Sequence, residues 1–75
     1  MTRQIELEVV GLSTEASVQK ATQAIADNRG VLDVRVYRER GRAFVDVARG
    51  TVIGHLLESL EAAGFMGRLA TDEDD

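Results

Sequence analysis

The chain of 75 residues repeats one pattern twice: an alternating apolar stretch, a helical stretch and a second alternating stretch. In the first half, Ile5, Leu7 and Val9 alternate with polar residues, which predicts a strand with one buried face over residues 4–10. The second half begins with the same alternation at Ala43, Val45 and Val47. A repeated strand–helix–strand unit leaves a chain this short very few compact folds.

The two helical stretches have recognisable ends. Ser13 or Thr14 is a good N-cap for the first helix, and Gly30 favours its end near residues 28–30. Thr51 is the predicted cap of the second helix, which ends at Gly64. The apolar stripes predicted for the two helices are Val18, Ala21, Ala24 or Thr22 and Ile25 in the first, and Leu56, Leu57, Leu60 and Ala63 in the second.

The remaining strands complete the pattern. Residues 31–37 alternate through Val34 and Val36 and lead into a charged hairpin at 38–41, and residues 65–71 fit a short last strand. The order is βαββαβ, which predicts an α+β, ferredoxin-like sandwich with two helices on one face of a four-stranded antiparallel sheet. We expect a single domain over residues 1–71, followed by an acidic, disordered tail at 72–75.

Composition narrows the function classes. The formal net charge is -4 and the chain has no cysteine, which argues against nucleic-acid binding and excludes disulfides, thiolate metal sites and a cysteine nucleophile. No apolar run has the length of a signal peptide or a membrane span, so the cytoplasm is the expected location, without membrane insertion. The single histidine has no partner at a catalytic spacing and the glycines form no phosphate-binding motif. We therefore expect no enzyme and no cofactor.

Three short motifs resemble those of the heavy-metal-associated domain family, which includes small copper chaperones and the N-terminal repeats of metal ATPases. Residues 11–18, G-L-S-T-E-A-S-V, are similar to the family's G-M-T-C-x-x-C-V. Residues 29–31, R-G-V, are similar to P-G-V, and residues 63–65, A-G-F, to A-G-Y/F. The resemblance spans most of residues 4–71 and implies the ferredoxin-like fold.

The departure from the family pattern falls on its metal ligands. The metal-binding cysteines correspond to Thr14 and Ser17, and a neutral hydroxyl is not the soft, anionic ligand that Cu(I) prefers. The resemblance therefore implies the fold without a metal, and a module that acts by binding a protein partner or a second copy of itself.

Two regions are candidates for that activity. The first is a loop site, where Ser13 and its neighbours either bind a small anion or carboxylate or simply cap the helix; its members are Ser13, Thr14, Glu15, Ser17, Phe65 and Met66. The second is the open sheet face, which either binds a partner or only carries cross-strand ion pairs; its members are Glu6, Glu8, Arg35, Tyr37, Arg42, Phe44 and Asp46. The edge strands offer a further route to association.

One alternative from another class stays open at this stage. A metal carrier could use oxygen, imidazole and thioether ligands in place of thiolates. That function requires Glu15, His55 and Met66 to converge on one site.

Overall fold

The computed structural model describes residues 2–74, and the side chains of residues 2–71. The six elements follow the predicted order: β1 Thr2–Val10, α1 Glu15–Ala26, β2 Val31–Tyr37, β3 Arg42–Ala48, α2 Ile53–Ala62 and β4 Met66–Asp74. The four strands form one antiparallel sheet in the order β2-β3-β1-β4. This is the predicted ferredoxin-like sandwich, and β2 and β4 are its edges.

The core lies between the sheet and the helices. Alternate residues of β1 and β3 point to the helical side, where Ile5 lies opposite Val45 and Leu7 opposite Ala43. The buried set contains most of the predicted apolar positions: Ile5, Leu7, Val9, Ala21, Ile25, Ala43, Val45, Val47, Leu56, Leu60 and Phe65. Because the core is small, its stability depends on close packing between the helices and the sheet.

Gly67 provides one such approach, between β4 and α2. A Cβ atom at this position would lie 2.8 Å from Cδ1 of Leu60 and 3.4 Å from Cδ2 of Leu57. A contact of 2.8 Å is essentially never made by a real Cβ atom, so the Leu60 side chain of α2 lies directly on the β4 backbone at Gly67. A bulkier residue would push the helix away from the sheet.

The last strand is longer than predicted. Residues 72–74 have strand backbone paired with β1, where the predicted disordered tail began, and Asp75 lies outside the described residues. The reason is that β1 begins at Thr2, so its first residues offer backbone partners to the end of β4. The register shifts once between Glu6 and Leu7, a local irregularity that the sequence pattern did not indicate.

The start of α2 also differs from the prediction. Val52, not Thr51, is the N-cap, and it makes no side-chain cap hydrogen bond. The Thr51 hydroxyl instead donates to the carbonyl oxygen of Ala48 at 2.6 Å, and the Thr51 side chain lies directly against Gly30. Thr51 therefore closes the turn after β3.

Candidate functional site

The loop site begins where β1 ends. Thr14 is the N-cap of α1, and its backbone N–H donates to Oγ of Ser17 at 2.9 Å. The Ser17 N–H donates to Oγ1 of Thr14 at 3.1 Å, and the Ser17 hydroxyl donates to the Thr14 carbonyl oxygen at 2.6 Å. The pair forms a reciprocal capping box, so the sequence alternatives for the cap resolve to Thr14.

A second contact fixes the same loop from outside the helix. Nη2 of Arg38, in the β2–β3 hairpin, donates to the Ser13 carbonyl oxygen at 2.8 Å. The two residues are 25 positions apart, so sequence spacing alone did not indicate this contact. Between the loop and the hairpin lies an open cleft, lined by Leu12, Glu15, Val18 and residues 36–40.

The other two loop-site residues differ from each other in exposure. The Phe65 side chain is buried, and its ring lies close enough to Gly11 that a Cβ there would be 3.1 Å from Cδ1 of Phe65. Met66 lies opposite Val10 and is 73% exposed. Phe65 therefore supports the loop from inside, and of the two only Met66 is exposed to solvent.

His55 lies at the other end of the molecule. The loop site and Met66 adjoin the end of β1 at Val10, whereas α2 follows β3, whose last residue pairs with Thr2 at the start of β1. At about 3.3 Å per residue, the nine residues of β1 separate these ends by roughly 25 Å. Glu15 and Met66 therefore lie near one end of β1 and His55 near the other, so the structure does not bring these three residues together.

The donor atoms at Thr14 and Ser17 are also unsuited to a thiophilic metal. Both hydroxyl groups already take part in the capping box, and neither ionises near neutral pH. In the part of the chain that the structure describes, no three His, Asp or Glu residues are grouped as metal ligands. The loop carries hydrogen-bonded polar groups where the family pattern carries thiolates.

The open sheet face is an ordered array of ion pairs on the side away from the helices. Nη1 of Arg42 lies 3.3 Å from Oε2 of Glu6, and Nη2 lies 3.8 Å from Oε2 of Glu8. Arg68 of β4 reaches the same Glu8 oxygen at 3.4 Å. Sequence reasoning missed Arg68, since its partner is 60 positions away and only the β1–β4 register brings them together.

The open sheet face also carries a pair of aromatic rings. The Tyr37 and Phe44 rings meet edge to face, with centroids 5.4 Å apart, and the Arg40 guanidinium lies 5.8 Å from the centre of the Tyr37 ring. Arg35 lies beside them, 3.8 Å from Asp46. The predicted surface residues therefore do share one face, as two ionic groups separated by an aromatic pair.

Several solved structures have the same fold as this chain. A copper-binding domain from HMA7, a P-type ATPase, superposes with a TM-score of 0.89 at 26% identity, over 96% of this chain and 99% of that one. The chain has the fold of a heavy-metal-associated domain. Oxidized MerP from Ralstonia metallidurans CH34 gives the same TM-score at 25% identity, over 95% of this chain and all of the other.

A third solved structure extends the likeness. The N-terminal domain of PacS from Synechocystis PCC6803 matches with a TM-score of 0.81 at 25% identity, over 91% of this chain and 97% of that one. No protein-family model matches the sequence, and no curated protein matches it significantly. The likeness to heavy-metal-associated domains therefore rests on the fold and on the three short motifs.

Among residues 2–74, neither helix is both long enough and apolar enough to cross a bilayer.

Proposed function

We propose that this chain is a non-enzymatic module with the heavy-metal-associated fold that acts by protein–protein interaction, without a thiolate-held metal, in the cytoplasm. The observation that carries the proposal is the reciprocal hydrogen bonding of Thr14 and Ser17 at the positions of the family's cysteines. The fold is retained, and its loop is closed by a helix cap. A binding role remains for the surfaces around it.

The open sheet face supports that role. Tyrosine, phenylalanine and arginine side chains are enriched at protein interfaces, and Tyr37, Phe44 and Arg40 cluster here. The ion pairs around them are partly exposed and contribute little stability by themselves. They are therefore free to exchange partners on docking.

The metal part of the proposal is tested by native mass spectrometry. Wild type and a Thr14→Cys/Ser17→Cys variant are titrated with Cu(I) and Zn(II) under reducing conditions. We expect wild type to keep the mass of the bare chain and the double-cysteine variant to gain one Cu(I), because thiolates then occupy both positions. A stoichiometric metal on wild type at micromolar concentrations would overturn the metal-free reading.

The interaction part is tested with variants of the open sheet face. Immobilised wild-type protein is compared with Arg42→Glu/Phe44→Ala in capture from the host's soluble extract. We expect wild type to enrich a partner that the double variant fails to retain. Lys20→Glu, a charge reversal on the exposed side of α1, is the matched control and should retain it. Equal capture by the face variant would contradict the proposed surface.

A further inference from the structure

The outer edge of β2 carries a self-complementary pair of charges. β2 is an edge strand, with β3 on one side only, and edge strands present unpaired backbone N–H and C=O groups. Asp33 and Arg35 lie two positions apart on its open-face side, with side chains 59% and 48% exposed. An acid and a base at this spacing can each face the other across an antiparallel pair.

If two copies pair through β2, the position of the two-fold axis between them decides which residues face each other. If a second copy pairs with β2 across an axis at Val34, Asp33 lies opposite Arg35 of the second copy, and Arg35 lies opposite its Asp33. An axis at Asp33 or at Arg35 would instead place two like charges face to face. The charge order of β2 therefore selects the axis at Val34.

The apolar side of the strand agrees with the same axis. Leu32, which is 60% exposed, then lies opposite Val36 of the second copy. The β2–β3 register skips Leu32 and resumes at Val31, which pairs with Val47, so the regular run of β2 toward this end stops at Asp33. The contact is limited to residues 32–36 of each copy.

From these relationships we infer that a second copy of this chain pairs antiparallel with β2 about a two-fold axis at Val34, joining the two sheets through reciprocal Asp33–Arg35 ion pairs. Arg35 is available for this contact because its bonds within the chain are long, at 3.7 Å to Asp33 and 3.8 Å to Asp46. Five residues of pairing and two exposed ion pairs make the dimer weak and concentration-dependent. This inference does not depend on the proposed function, whose test variants leave β2 unchanged.

Cysteine crosslinking tests the position of the axis. The chain has no native cysteine, so only the introduced thiols can form a disulfide. Val34→Cys places two thiols across the axis, and mild oxidation should give a covalent dimer. Leu32→Cys alone is the matched control, because its two thiols would be about 13 Å apart along the strands, beyond disulfide reach. Mixing Leu32→Cys with Val36→Cys should restore crosslinking, as a heterodimer of the two variants.

Charge reversal tests the recognition. In sedimentation equilibrium, Asp33→Arg and Arg35→Asp should each weaken self-association about tenfold, and the double variant Asp33→Arg/Arg35→Asp should restore it. Circular dichroism melts confirm that the variants fold, since Arg35 also contacts Asp46. The inference would be overturned by a monomer mass at all concentrations, or by equal crosslinking at positions 32 and 34.

Discussion

Thr14 and Ser17 each donate a backbone N–H to the hydroxyl oxygen of the other, at 2.9 and 3.1 Å. Two residues three positions apart thus close the first turn of α1 without any external group. The positions that resemble a pair of metal ligands serve here as a helix cap. The stability of the loop should therefore depend on these two hydroxyls.

Removing either hydroxyl should destabilise the fold measurably. Thr14→Ala should lower the free energy of unfolding by about 1 kcal/mol, because a backbone N–H at the helix start loses its acceptor. Ser17→Ala should have a similar effect, and the double variant should lose less than the two single losses combined, since the bonds are reciprocal. Urea unfolding measures all three. Ser13→Ala should stay within about 0.5 kcal/mol of wild type; a loss as large as that of Thr14→Ala would contradict the assignment of the cap.

Restoring thiolates should make stability depend on metal. Thr14→Cys/Ser17→Cys without metal should unfold at lower urea than wild type, because the capping box is gone. Adding Cu(I) at about 100 times the dissociation constant should return roughly 2.7 kcal/mol, through binding to the folded state alone. The wild-type midpoint should not move with Cu(I). An equal shift in both proteins would show that the metal acts elsewhere.

Two glycines near α2 should respond in opposite directions to the same substitution. Gly67→Ala should destabilise by about 1–3 kcal/mol, because the new methyl group would overlap Leu60, which is fully buried. Gly54→Ala should stabilise by up to about 1 kcal/mol, since it lies inside a helix with nothing within 4 Å of an added Cβ. Thermal unfolding of both variants measures the difference. Matching shifts would contradict the close packing of α2 on β4.

The aromatic contact on the open sheet face should appear as a coupling energy. A double-mutant cycle with Tyr37→Leu and Phe44→Leu should give about 0.5–1.5 kcal/mol between the edge-to-face rings. Urea unfolding of the four proteins supplies the cycle. The control cycle pairs Tyr37→Leu with Leu69→Ala on the opposite edge strand and should be additive within about 0.5 kcal/mol. Additivity in both cycles would mean that the rings do not interact.

Sequence periodicity predicted the elements and their faces because those depend on local spacing. The alternation of Ile5, Leu7 and Val9 assigned the buried side of β1, and topology then placed Glu6 and Phe44 on the same open face. The position of His55, far from the loop site, follows from the same predicted topology, since α2 begins where β3 ends. That topology separates His55 from Glu15 and Met66.

Contacts between residues far apart in the chain could not be predicted from the sequence pattern. The Arg68–Glu8 pair depends on the β1–β4 register, which a bulge shifts between Glu6 and Leu7. The end of β4 at Asp74 depends on where β1 begins, and composition alone favoured a solvated tail there. Thr51 satisfied the rule for a helix cap, but its hydroxyl donates to the Ala48 carbonyl oxygen and its side chain lies against Gly30, 21 positions earlier in the chain.

The hydrogen bond from Arg38 to the Ser13 carbonyl oxygen affects the cleft between the loop and the β2–β3 hairpin. It joins the β2–β3 hairpin to the loop that leads into α1, so the two walls of the cleft between them are tethered to each other. Ordering flexible segments on binding costs free energy, and this bond forms part of that order in the folded chain before any ligand arrives. A molecule that enters the cleft therefore meets two walls that are already joined to each other by a hydrogen bond.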